Sequence, residues 1–314
     1  MWHQLLTHTF IIGVLAAGIR LATPILLAVL GEIFSERAGV LKISLEGEML
    51  IGALAGFLGA YYCKHLWIGF CFGMLAALMY SGIAGFFSIT LKVDQVITGI
   101  TLNLLALGLT SFLYRLMLGQ SFIPPSITPL VPLKIPGLCD VPFLGSILFS
   151  QNLIVYLTFF FLTPVSAFVL FKTPFGLNLR AVGEYPLAAD TVGIRVIATR
   201  YICVMIGGMF SGLGGAFMTL AQLNMFTENL IAGRGFIALA AVIFGRWHPF
   251  GAVIATLLFG VADALQLRLQ AIGVTIPYQF LLMLPYVLTI LALIGVVRRT
   301  TPPSALAVPY ERLS

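Results

Sequence analysis

Nearly every stretch between charge clusters in this chain is apolar and long enough to cross a hydrocarbon core of about 30 Å, which takes roughly 20 helical residues. In lipid no water is at hand to bond exposed backbone N–H and C=O groups, so continuous runs of this length must form helices rather than open strands. Counting runs near the length required, the sequence predicts about nine spans. They lie at residues 10–34, 38–62, 65–91, 93–118, 150–171, 197–223, 228–245, 250–270 and 277–296, the Gly-rich ones broken or re-entrant. The expected fold class is therefore all-α, a polytopic transmembrane helical bundle forming one domain over residues 1–314.

Composition agrees with lipid as the solvent. Hydrophobic residues make up 60% of the chain and charged ones 9%, against about one quarter charged in a soluble domain. The net charge of +6 comes from Lys and Arg placed between apolar segments, with no dense basic patch, which argues against nucleic acid as a partner. Cys63, Cys71, Cys139 and Cys203 lack CxxC pairing and nearby His at metal-ligand spacing, so they read as packing residues and no metal is expected. The apolar run at 10–18 resembles a signal peptide, but residues 1–9 carry no Lys or Arg and the apolar character continues past Gly18; an uncleaved first span is expected.

Orientation follows from the excess of Lys and Arg expected on the cytoplasmic side. Placing the 172–200 connection inside also puts Arg37, Lys42, Lys92, Arg246, Arg298, Arg299 and Arg312 inside, leaving Lys64, Lys134 and Arg234 outside. A cytoplasmic C-terminus results, and with nine spans an external N-terminus. Two connections are too long for simple helix joints. Residues 119–149 are Pro-rich and read as an external cap. Residues 172–200 alternate charged with small and apolar residues, which predicts short amphipathic helices and a protein-docking surface.

The chain has no GxxxxGK[ST] phosphate loop, no HExxH, and only scattered histidines at His3, His8, His65 and His248. It is not expected to be an enzyme or to carry a cofactor, and any ATP hydrolysis that powers it must occur in a separate polypeptide. A secondary transporter is the competing class, since ionisable groups within spans mark ion or substrate routes by default. Arg20, Glu46, Glu48 and Asp263 are its candidates, although Arg20 can pair with a neighbouring carboxylate and Asp263 can face water from the outer end of its helix. That class offers no account of the long inner connection.

Four stretches resemble a known family, the membrane permeases of type II ABC importers for branched-chain amino acids, simple sugars and nucleosides, and most closely its nucleoside-type branch. Residues 36–53 (ERAGVLKISLEGEMLIGA) are similar to the family's ER-x-GV-x-N-I-x-x-EG-x-ML-x-GA pattern, with Lys42 in place of the usual Asn and Ser44 where Gly is common. Residues 96–110 (VITGITLNLLALGLT) form the second stretch. The third, residues 173–190 (TPFGLNLRAVGEYPLAAD), looks like the family's coupling loop. The fourth is residues 232–245 (AGRGFIALAAVIFG), continuing through Trp247, Pro249 and Gly251 to Gly260.

The resemblance implies a permease in the cell inner membrane that works with a cytoplasmic ABC ATPase dimer, a second identical or homologous permease subunit and an extracytoplasmic substrate-binding protein. It implies that Arg180, Ala181, Gly183, Glu184, Pro186, Ala188 and Ala189 dock the ATPase. It points to a nucleoside or nucleoside-like solute such as a flavin, with a simple sugar as the alternative. Three residues are candidates for the substrate pathway. Glu46 reads either as a cap on a broken half-helix, through its neighbour Gly47, or as a substrate contact. Asn103 suits a ligand bond or an interhelical one, and Phe236, after the Gly-Arg-Gly opening, suits stacking on a planar base or plain packing. Lys42 either lines the pathway or snorkels to the cytoplasmic edge. A faint inverted symmetry relates the Glu36-Arg37-Ala38-Gly39 opening to the Gly233-Arg234-Gly235 opening, which would place substrate contacts where the two meet.

Overall fold

The structure is a computed structural model that describes residues 8–119, 124–134, 144–272 and 301–311, together with Gln279, Phe280, Met283, Val287 and Ile290. It is an all-α polytopic membrane protein, as expected. Its main helices are α1 (His8–Arg37), α2 (Leu45–Cys63), α3 (Leu66–Thr90) and α4 (Gln95–Leu118). After the short α5 (Leu144–Leu148) come α6 (Leu153–Lys172), α7 (Pro174–Glu184), α8 (Pro186–Thr191), α9 (Val196–Leu223), α10 (Arg234–Phe244) and α11 (Pro249–Ala271). Among the described residues six helices are long and apolar enough to cross a membrane: α1, α3, α4, α6, α9 and α11.

Two expected spans are corrected. The span at 38–62 becomes helical only at Leu45, because Gly39 takes a positive φ of 88° and residues 38–44 run irregularly back into the protein. The remaining α2 has 19 residues, about 28 Å at the usual helical rise. The span at 228–245 shrinks to α10, whose 11 residues reach only about 16 Å, roughly half the hydrocarbon core. A turn-rich lead-in with positive φ at Asn224, Asn229, Ala232 and Gly233 replaces its first third. The expected span at 277–296 falls almost wholly outside the described residues.

α9 is the core element, with 72% of its apolar window buried, against 28% for α4, which lies at the periphery of the bundle. The sequence reason is glycine. A Cβ at Gly215 would collide with the Met49 carbonyl on α2, and one at Gly212 with the Gly73 carbonyl on α3. Small residues let backbones close in this way where lipid supplies no hydrophobic drive between helices. α1 packs antiparallel to α9, with Gly31 beside Gly207, Pro24 beside Gly214 and Arg20 beside Gln222. Pro24 lacks an N–H, so the Arg20 carbonyl loses its helical partner. Gln222 Nε2 donates to that carbonyl at 2.7 Å, supplying the bond that lipid cannot.

Because α1 and α9 are antiparallel, their C-terminal ends lie on opposite faces of the bundle. The two irregular segments that follow them, 38–44 and 224–233, thus enter the protein from opposite sides, the geometry that the faint inverted symmetry anticipated. In the 119–149 connection, β1 (Leu133–Lys134) pairs antiparallel with β2 (Ser150–Gln151), a two-residue ladder that the all-helical reading did not foresee. Ser126 bridges to Met225 and Ile127 N donates to the Asn224 carbonyl at 2.9 Å, so this connection is fastened to the 224–233 lead-in.

Candidate substrate pathway and coupling surface

The two entering segments meet at Glu46. This residue sits in the first turn of α2, and its Oε1 accepts from Gly233 N at 2.8 Å while Oε2 accepts from Gly235 N at 2.7 Å. Those N–H groups belong to the start of α10, where a helix has no internal acceptors and carries partial positive charge. A carboxylate there completes both unmet needs. In this geometry Glu46 caps α10 rather than α2, the helix in whose first turn it sits. Gly235 is required, since any Cβ on it would press on the Glu46 backbone.

Asn103, in the ninth position of α4, spends both ends of its amide on the same junction. Its Oδ1 accepts from Gly47 N at 2.8 Å and its Nδ2 donates to the Ile43 carbonyl at 2.9 Å, so it fastens the start of α2 to α4. Phe236 lies in the first turn of α10 with 49% of its surface exposed. It is a half-exposed aromatic residue one position after Gly235 of the junction. Arg234 directs its guanidinium toward Asp263 on α11 at 4.0 Å. Asp263 therefore faces a partner within the protein rather than outer water, whereas Arg20 is exposed.

Lys42 does not snorkel. It is 3% exposed, and Nζ donates to Glu48 Oε2 at 2.8 Å, with Glu32 Oε2 at 4.0 Å, Ser81 Oγ at 3.4 Å and the Val204 carbonyl at 3.5 Å. An ammonium group drawn out of water needs such partners to remain charged. Sequence reading missed Glu32. Its only signal was a carboxylate inside an apolar run, one helical turn before Glu36.

On the other face, α7 and α8 realise the expected short helices of the 172–200 connection. Thr173 caps α7, its hydroxyl accepting from Gly176 N at 3.2 Å, and Pro174 suits the first helical position. Leu177, Tyr185, Leu187, Ala188 and Val192 are exposed, while Val182, Gly183 and Ala189 are buried. The buried members fit α7 and α8 to the body. A Cβ at Gly183 would collide with the Arg37 carbonyl at the end of α1. Arg37 and Arg180 flank the Phe171 ring at 5.5 and 5.3 Å, and Arg37 Nε donates to the Trp247 carbonyl at 3.2 Å. Ala181 and Pro186 are half-buried.

The 301–311 segment straps this arrangement. Glu184 Oε2 accepts from the Ser304 hydroxyl at 2.8 Å, Ala305 N donates to the Gly183 carbonyl at 2.9 Å, and Ala307 N donates to the Gly39 carbonyl at 3.2 Å. Arg200 Nη1 donates to the Val308 carbonyl at 3.0 Å. Lys92 bonds Glu311 at 2.8 Å and thereby holds its carboxyl below the usual carboxylate range. A continuous path therefore leads from α7 through Arg37 and residues 38–44 to Glu46 and the start of α10.

Residues 14–293 match the family described as the branched-chain amino acid transport system / permease component. The chain belongs to this permease family. It is a multi-pass membrane permease. Among its relatives is the guanosine ABC transporter permease protein NupQ of Bacillus subtilis, 44% identical over 92% of this chain and 93% of that one. The putative glucose ABC transporter permease protein TsgC13 of Haloferax volcanii is 38% identical over 97% and 99%, respectively. The nucleoside ABC transporter permease protein NupC of Lactococcus lactis is 37% identical over 92% and 93%. No solved structure matches the chain.

Proposed function

We propose that this permease forms the membrane pathway of an ATP-driven importer for a nucleoside or nucleoside-like solute. The observation that carries the reading is the Glu46 junction, where two interrupted segments entering from opposite sides meet at the start of a half-length helix. Irregular backbone at membrane depth is tolerated where it lines a route or is buried in protein, and transporters place solute sites at such breaks. The guanosine and nucleoside permeases among the relatives favour a nucleoside over a simple sugar, although a glucose permease stands at similar identity. The exposed Phe236 ring beside the junction suits a planar base.

In this reading the energy comes from a cytoplasmic ATPase dimer docked on the exposed residues of α7 and α8, and an extracytoplasmic binding protein delivers the solute. A second permease subunit, identical or homologous, completes the pathway, and the complex lies in the cell inner membrane with the C-terminus cytoplasmic. A cysteine at Asn178 is then shielded from an impermeant reagent in intact cells, whereas one at Ser126 is labelled. The reverse pattern rejects the orientation.

Solute choice is tested with labelled guanosine and labelled glucose in cells carrying the complete importer. Guanosine should accumulate, with other nucleosides competing and glucose not. Phe236→Ala should lower that uptake roughly 5- to 150-fold, the equivalent of the 1–3 kcal/mol of a base-stacking aromatic. Glucose uptake without guanosine uptake would replace the nucleoside reading with the sugar one.

A further inference from the structure

We propose that Lys42 is a positioning residue for transport, a buried lock that sets where Glu46 meets α10. The inference rests on the reading of the Glu46 junction as the pathway. Lys42 belongs to the irregular 38–44 segment, which has no helical bonds of its own to fix its place. Its ammonium nonetheless reaches four helices: Glu32 on α1, Glu48 on α2, Ser81 on α3 and the Val204 carbonyl on α9. Its backbone N–H donates to Glu32 Oε1 at 3.0 Å, so the residue is held at both ends.

The surroundings are built around that ammonium. Gly207 on α9 leaves its space open, since a Cβ there would stand 2.5 Å from Lys42 Nζ. Ser44 Oγ donates to the other oxygen of Glu48 at 3.1 Å, and Ser81 Oγ donates to the Val204 carbonyl at 2.7 Å. Glu48 lies on α2 just two residues after Glu46, and it is completely buried. The position of the Lys42 ammonium is thus transmitted through less than one helical turn to the carboxylate that caps α10. On the other side, the Gly39 carbonyl takes a bond from Ala307, and α7 rests on Arg37. The lock therefore separates the part of the path that contacts the coupling helices from the part that holds the junction, giving the 38–41 turn a fixed far end against which to move.

A buried ion pair has a second, purely structural use: it neutralises a carboxylate that would otherwise be stranded. The two roles part when both charges are removed together, because replacing a buried pair by neutral groups of similar size is often harmless to stability, whereas removing one partner is not. Lys42→Met alone should lower the amount of permease in the membrane, and Lys42→Met with Glu48→Gln should restore it to within twofold of the parent. If Lys42 positions the junction, the double variant, assembled with its ATPase and binding protein, should show a maximal rate of guanosine uptake at least tenfold lower. Its half-saturation should be unchanged, because capture of solute by the binding protein does not pass through Lys42. A maximal rate within twofold of the parent would reduce Lys42 to a counter-charge and overturn the proposal. Should the double variant fail to accumulate, Ser81→Ala decides: it removes one arm of the lock without altering a charge, and uptake should fall at least threefold at normal membrane levels, normal uptake overturning the proposal. Glu46→Gln run alongside separates the two readings. Full uptake in that variant sinks the pathway assignment itself, whereas impaired uptake there with normal uptake in the Lys42/Glu48 double variant sinks only the lock.

Discussion

Glu46→Ala should reduce uptake roughly a hundredfold or more while the permease still reaches the membrane and retains its ATPase. The two N–H groups of Gly233 and Gly235 lose a charged acceptor each, and hydrogen bonds to charged groups are worth about 1.5–3 kcal/mol apiece. The start of α10 then loses its carboxylate acceptor, and a deficit of about 3 kcal/mol or more in the seated state corresponds to the stated loss. The remaining helices keep their packing through α9, whose glycine contacts with α2 and α3 do not involve this carboxylate. Glu46→Gln should fall between, because its single amide oxygen replaces one of the two bonds. Guanosine uptake, normalised to permease in the membrane, measures the effect. Uptake within threefold of the parent in Glu46→Ala would mean that α10 is seated by other contacts and that the Glu46 junction is not the pathway.

Gly183→Val should abolish coupling with a similarly large effect, a loss of uptake of at least tenfold. The added Cβ collides with the Arg37 carbonyl at the end of α1, and overpacking of this kind costs typically about 1–3 kcal/mol where neighbours shift to accommodate it. Here the neighbour is backbone, so α7 must lift away from α1. The same displacement strains the bond between Ala305 N and the Gly183 carbonyl. Gly82→Ala is the matched control, since a Cβ there meets nothing within 4 Å, and its uptake should stay within twofold. Solute-stimulated ATPase activity and uptake measured on the same membranes distinguish a broken lever from a lost subunit. Normal uptake by Gly183→Val would place the mechanical link elsewhere than at α1.

What was legible beforehand follows from which forces leave a local trace. Helix placement did, because lipid forces each apolar run to satisfy its own backbone, and α3, α4, α9 and α11 begin and end within a few residues of the expected spans. The two interruptions were only half visible. Gly39 and Gly233 marked them, but where α2 and α10 begin depends on acceptors supplied from distant segments, Asn103 for the first and Glu46 for the second. The direction of the Glu46 cap was hidden for the same reason, its donors lying 187 and 189 residues away in the chain. Lys42 reads from sequence either as a pathway residue or as one able to reach water, since nothing nearby in sequence discloses that Ser81 and Val204 converge on it. In the inner connection, composition indicated amphipathic helices but not which small residues face inward; Gly183 and Ala189 are buried by contacts with α1 and with α9 and the 301–311 segment, and Glu184 is engaged by Ser304.

In the proposed function this chain is a pathway that works only under the drive of a separate ATPase. Purified permease in sealed vesicles, with and without its ATPase and binding protein, tests it most directly. Labelled guanosine should accumulate against its gradient only when all components and ATP are present, and the permease alone should neither hydrolyse ATP nor concentrate solute. Accumulation by the permease alone under an imposed proton or sodium gradient would contradict the account and identify a secondary transporter.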